Sequence, residues 1–98
     1  MNKSDLVQSL AARIGLNRND ALQAIEALFS PSDGVITEAL RTGQKVQITG
    51  FGTFETRHRK PRTGRNPRTG EEIRIESTVS ASFRPGKALK DAVRSLRV

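Results

Sequence analysis

From Arg57 to Glu72 the chain runs through sixteen residues, RHRKPRTGRNPRTGEE, without one aliphatic, aromatic or sulfur-bearing side chain other than the rings of its two prolines and His58. A segment of that kind cannot help to bury a core, and it lies well inside a chain of 98 residues. The residues left over are a thin supply for an independent fold, because a small chain buries a low fraction of its surface. Splitting them further would leave two pieces too small to hold cores, so residues 1–98 are expected to form one domain. A core shared with a second chain is the preferred expectation.

Charge is distributed as unevenly as hydrophobicity. The formal net charge is +7. Residues 1–50 carry five basic and five acidic side chains, whereas residues 51–98 carry twelve and five. The whole excess therefore sits in the second half, which points to a polyanionic partner. Cysteine is absent, which excludes a disulfide framework, a cysteine-ligated metal and a thiol nucleophile. No apolar run is long enough to span a membrane. The opening Met1-Asn2-Lys3-Ser4-Asp5 leads into an amphipathic pattern, unlike a signal peptide, so a soluble cytosolic protein is expected.

The pattern along the chain predicts helices, then strands, then a helix. Ser4 is placed to cap a first helix with Leu6, Val7, Leu10, Ala11 and Ile14 on one face and Gly15 as its stop. Asn17 caps a second, with Asp20 at the capping-box offset and Ala21, Ala24, Ile25 and Leu28 forming the stripe. Pro31 breaks this helix within Ser30–Gly34, and either Ser30 or Asp33 is placed to cap a restart that runs to Gly43. From Lys45 the period changes to two: Val46 and Ile48 precede a Gly50-Phe51-Gly52 turn, and Phe54 and Thr56 follow it. Ile73, Ile75, Ala81 and Phe83 continue the alternation on the far side of the polar stretch, whose turn signal is Asn66-Pro67-Arg68-Thr69-Gly70. Two strands joined in this way describe a β-ribbon. Pro85-Gly86 ends the sheet, and Lys87 to Leu96 reads as a last helix with Ala88, Leu89, Ala92 and Val93 inward. The expected order is ααβββα.

Arg57, Arg59, Lys60, Arg62, Arg65 and Arg68 place six cations in twelve residues with no acid among them. Runs of like charge are often merely solvated. This one is internal and flanked by strand patterns, and arginines on a ribbon can follow a groove and pair with phosphates on both sides. Pro67 is either an ordinary turn proline or an apolar wedge between Arg65 and Arg68, the device by which minor-groove proteins part a base step. Gly86-Lys87 offers helix N–H groups and an ammonium to a phosphate. His58 has no nearby ligand partner, and no metal or cofactor is expected. Phe29, Phe51, Phe54 and Phe83 read as core and not as a base-stacking platform, since none interleaves with the arginines.

Three blocks resemble the signature of the bacterial HU/integration host factor family: Gly50-Phe51-Gly52-Thr53-Phe54, Gly64 through Glu71, and Phe83 through Lys90. The opening Met1 to Leu6 is similar too, and the resemblance covers nearly the whole chain in order. It implies an α+β intertwined homodimer: a helical base, a three-stranded antiparallel sheet with a long β-ribbon arm at approximately 55–76, and a C-terminal helix. It further implies that the arms wrap double-stranded DNA and that Pro67 enters the minor groove and bends the duplex. The implied DNA contacts are Lys3, Arg57, Arg59, Lys60, Arg62, Arg65, Asn66, Pro67, Arg68, Thr69, Arg74, Arg84, Gly86, Lys87 and Lys90, with Phe29, Phe51, Phe54 and Phe83 in the dimer core. Two departures stand out: about four extra residues at Ser30–Gly34, and an extension over Arg94–Val98 that adds Arg94 and Arg97.

These features favour a non-enzymatic, largely sequence-neutral DNA-bending protein of the nucleoid, preferring bent, nicked or deformable duplex, with no membrane and no small-molecule substrate. The alternative is site-specific bending of the integration-host-factor kind, which Pro61-Arg62-Thr63-Gly64 and Phe83-Arg84-Pro85-Gly86 resemble; the opening and Lys87–Val93 resemble HU more. An RNA-binding protein is less favoured, because no RNA-module motif is present. An enzyme is weaker still, since Glu71-Glu72 and Asp91 lack companions at useful spacing.

Overall fold

The computed structural model describes residues 1–96, so Arg97 lies outside the described residues. The chain groups into two compact units, one over Met1–Thr42 and a second that begins at Gly43.

In the first unit, α1 spans Lys3–Ile14 and α2 spans Arg18–Phe29. The cap of α1 is Asn2, not Ser4. Asn2 Oδ1 accepts from the Asp5 amide at 2.9 Å, and the Asp5 carboxylate accepts from the Asn2 amide at 3.1 Å. Two otherwise orphaned amides are thus satisfied together, which Ser4 cannot do because Val7 lies three residues beyond it. Ser4 is inside the helix and accepts a hydrogen bond from Arg18 at 2.8 Å. Gly15 ends α1 in the left-handed region at φ 70°, and Asn17 caps α2 by accepting from the Asp20 amide at 2.8 Å, both as expected. Val7, Ala21 and Ile25 form the core of this hairpin, with Leu10, Ala11, Leu16 and Leu22 packed around it.

The second helix is broken. Past Phe29 the chain turns at Pro31–Asp33 and restarts as α3, Val35–Arg41. Neither Ser30 nor Asp33 caps the restart: Gly34 does, with no side-chain bond. The residue is buried because the turn closes tightly. Its amide donates to Ser30 O at 2.9 Å, and a Cβ there would lie 2.7 Å from the Ser30 backbone. Thr37 Oγ1 and Arg41 tie the turn down by donating to Ser30 O and Ser32 O.

The second unit holds β1 (Val46–Ile48), β2 (Gly52–Arg59), β3 (Arg62–Arg65), β4 (Glu72–Ile75), β5 (Thr78–Pro85) and α4 (Lys87–Arg94). The first sheet is antiparallel in the order β1-β2-β5, and β3 pairs with β4 as a separate ribbon. The expected long strands are each divided in two. Lys60-Pro61 interrupts one side, where the proline has no N–H to give, and Glu76-Ser77 interrupts the other. Gly52 sits where the backbone meets Phe83: a Cβ would lie 2.5 Å from the ring.

The last helix ends at Arg94, short of the expected Leu96, and it buries none of its residues. Leu89 is half-buried, but Ala88, Ala92 and Val93, expected inward, are exposed. Much else that is apolar is also open: Leu6, Ile14, Leu28, Phe29, Phe51 and Phe83 are all exposed. The buried apolar core of the chain is Val7, Ala21, Ile25 and Ile36 among the described residues.

Candidate nucleic-acid interface

Alternation along β2 and β5 sorts the side chains into two chemically opposite faces. The register pairs Thr53 with Arg84, Glu55 with Ser82, Arg57 with Ser80 and Arg59 with Thr78, and paired residues share a face. One face therefore carries Arg57, Arg59 and Arg84. The other carries Phe54 paired with Phe83, Thr56 with Ala81, and His58 with Val79. The aromatic side is packed within itself. Phe83 lies 4.8 Å from Phe54 and 5.6 Å from Phe51 between ring centroids, tilted in both cases.

The ribbon repeats this sorting in a milder form. Arg62 pairs with Ile75 and Gly64 with Ile73 on one face, while Thr63 pairs with Arg74 and Arg65 with Glu72 on the other. Gly64 leaves room for the isoleucines, since a Cβ there would meet Ile75 Cδ1 at 3.2 Å.

At the tip, Asn66 organises the turn around Pro67. Its amide donates to Glu71 O at 2.8 Å, its carbonyl accepts from Gly70 at 2.7 Å, and its Oδ1 accepts from the Arg68 amide at 2.9 Å. Gly70 takes the left-handed conformation at φ 71°, which closes the loop. Thr69 Oγ1 accepts from the Glu71 amide. Pro67 and Arg68 are left exposed at the end of this turn, with Arg65 exposed before it.

The expected DNA-binding cations differ in whether an acid already holds them. Arg57, Arg59, Lys60, Arg62, Arg65 and Arg68 have no carboxylate within ion-pair distance among the described residues. By contrast Lys3 is paired with Glu26, Arg74 with Glu76 at 3.5 Å, and Arg84 with Glu55 at 3.6 Å. Gly86 caps α4, but its own amide donates to Phe51 O and that of Leu89 to Gly50 O. Among the described residues the amides of Lys87 and Ala88 have no backbone acceptor, so the seat expected at Gly86-Lys87 is smaller than a free helix start. Lys87 and Lys90 are exposed on that helix.

Two residues escaped the sequence reading. Glu55 is the buried charged residue of the described chain, at 8% exposure, and Lys45 Nζ lies 3.6 Å from its carboxylate. A lone acid in the strand that leads into the arginine run was the available signal. No group of three His, Cys, Asp or Glu able to hold a metal is present among the described residues.

A helical hairpin, an antiparallel sheet and an arginine-bearing ribbon define a class of α+β proteins built to present cations on a paired-strand arm. The chain belongs to the bacterial DNA-binding protein family, whose model matches residues 1–94. It is 52% identical over 94 residues to DNA-binding protein HU of Geobacillus stearothermophilus, covering 96% of this chain and all of that one. It is 53% identical over 93 residues to the HU protein of Lactococcus lactis, covering 95% of this chain and 98% of that one. Among solved structures, the Anabaena HU–DNA cocrystal matches at a TM-score of 0.84 and 36% identity, covering 98% of this chain and all of its counterpart. HU from Thermotoga maritima matches at 0.64 and 32% identity, covering 96% of this chain and all of that one.

Proposed function

We propose that this chain is an architectural protein that binds and bends double-stranded DNA in the bacterial nucleoid, largely without regard to sequence and without catalysis. The observation that carries the reading is the array of six exposed cations, running from Arg57 on β2 to Arg68 at the ribbon tip, that have no acidic partner among the described residues. Long stretches of cation on a narrow ribbon neutralise phosphates along a groove, and Pro67 at the tip acts as the wedge between base pairs. Arginine in a minor groove reads width and deformability more than base identity, which favours bent or nicked duplex over any one sequence. The likeness to the Anabaena HU–DNA cocrystal supports the same reading.

The 98 residues act as one domain, and two copies form the working unit. Phe29, Phe51 and Phe83 are 48%, 46% and 39% exposed in the single chain. Fully burying such a side chain from water is worth about 1.5–3 kcal/mol, and a little under half of that remains to be gained at each ring, so covering them with a second copy supplies stability that the four-residue core lacks. The test is competition at fixed salt between nicked duplex, intact duplex and structured RNA of equal length. Nicked duplex should win. Preference for the RNA would replace this reading with an RNA-binding one.

A further inference from the structure

Glu55 sits buried on the cationic face of β2, between Arg57 on the same strand and Arg84 on β5. Acids on a surface meant for phosphates ordinarily weaken binding, so its retention there requires a physical account. A single oxygen, Oε2, lies 3.6 Å from Lys45 Nζ and 3.6 Å from an Arg84 guanidinium nitrogen. The two cations come from opposite sides of β2: Lys45 directly precedes β1, and Arg84 lies near the end of β5. Because both approach the same oxygen, they cannot be further apart than twice that distance. Without the carboxylate, two like charges so close would repel and swing outward on their flexible stems.

The cations themselves remain open. The side chains of Lys45 and Arg84 are 66% and 60% exposed, while that of Glu55 is 11% exposed. An ammonium has three donors and a guanidinium five, so one carboxylate oxygen occupies a fraction of them. The remaining donors are free to take an anion without leaving Glu55.

We propose that Glu55 is a positioning residue that holds Lys45 and Arg84 together as a seat for one backbone phosphate of the duplex on the cationic face of the β1-β2-β5 sheet. The proposal rests on the DNA-binding reading above and adds Lys45 to the residues that meet DNA. Glu55 supplies order and not attraction. A pre-arranged pair loses less side-chain freedom on meeting the phosphate than two mobile cations do. The carboxylate also fixes the sheet end of the DNA path relative to Arg57, which is two residues further along the same face.

The test turns on sign. Glu55→Gln keeps the shape and raises the net charge by one per chain, so simple electrostatics makes the variant bind DNA more tightly. Positioning makes it bind more weakly, and the expected loss is roughly threefold to tenfold for intact duplex at moderate salt, of the size of ordering one or two long side chains. The salt dependence must shift as well. Lys45→Ala should lower the slope of log affinity against log salt by about 0.9 for each phosphate that is no longer neutralised. The same substitution in the Glu55→Gln background should lower it by less, because the seat is already dispersed. Circular dichroism and thermal melting check that each variant is folded; if Glu55→Gln is not, Lys45→Ala and Arg84→Ala in the wild-type background carry the test through their slopes. Equal or tighter binding by folded Glu55→Gln, or an unchanged slope in Lys45→Ala, overturns the positioning role. Failure of the unaltered protein to bind duplex in a salt-dependent way would instead overturn the DNA-binding reading itself.

Discussion

Replacing Pro67 by alanine separates the tip's contribution to DNA shape from its contribution to the fold. The turn does not depend on the proline ring: its three organising hydrogen bonds all involve Asn66, and its left-handed position is Gly70. Pro67 is exposed and its ribbon is a sheet separate from β1-β2-β5. The stability lost is therefore the backbone entropy that proline removes from the unfolded chain, about 0.4–1 kcal/mol. For a chain of this size that lowers the melting temperature by a few degrees, at roughly 4–8 °C per kcal/mol. On DNA the stakes are larger, since each parted base step costs about a few kcal/mol, offset by the interactions that a bent duplex allows. Pre-kinked or nicked DNA escapes most of that cost, so the wild type should prefer it. A mutant that no longer parts the step should lose much of the preference, by about tenfold for each 1.4 kcal/mol of unstacking no longer performed. Energy transfer between dyes at the two ends of a duplex reads the bend directly. Unchanged end-to-end distance at saturation, with the mutant folded, would reduce Pro67 to a turn residue and refute the wedge.

Three further outcomes follow from the same structure. The melting temperature should rise with protein concentration, and Phe83→Ala should cost about 3–5 kcal/mol, as for a fully buried ring; a concentration-independent melt would exclude the dimer. Arg59→Ala should weaken binding to every duplex alike and lower the salt slope by about 0.9 per phosphate released, or twice that in a dimer, as measured by titration from about 50 to 200 mM salt. Asn2→Ala should cost about 1 kcal/mol of stability by thermal or urea melting, whereas Ser4→Ala, which removes only the bond from Arg18, should cost less.

The last pair shows where the sequence was legible and where it misleads. Gly15, Asn17 and the break at Pro31 act locally, through a left-handed residue, a side-chain cap and a missing N–H, so they can be read from neighbours alone. The cap of α1 is equally local, since Asp5 stands at the capping offset from Asn2, yet the expectation falls on Ser4, which lacks that partner. The strand alternation and the tip are clear for the same reason. The pairing of Glu55 with Lys45 and Arg84 is not legible, because it joins residues on segments that only the sheet brings alongside β2. The last helix fails in a third way. Its amphipathic pattern is plain in the sequence, but an apolar stripe does not say whether its cover comes from the same chain, and here Val93 remains 58% exposed.

The two-faced strand β2 constrains how this family can change. Every second residue from Phe54 serves the aromatic side, and every second residue from Glu55 serves the cationic one. Inserting or deleting one residue within the strand would exchange the faces of every residue beyond that point, turning arginines toward the aromatic side. Changes of one residue in length are thus forbidden at this strand unless a bulge absorbs them, while changes of two preserve both surfaces. Length variation should therefore accumulate in turns such as Ser30–Gly34, where tight closure on Ser30 confines an added segment to a surface loop.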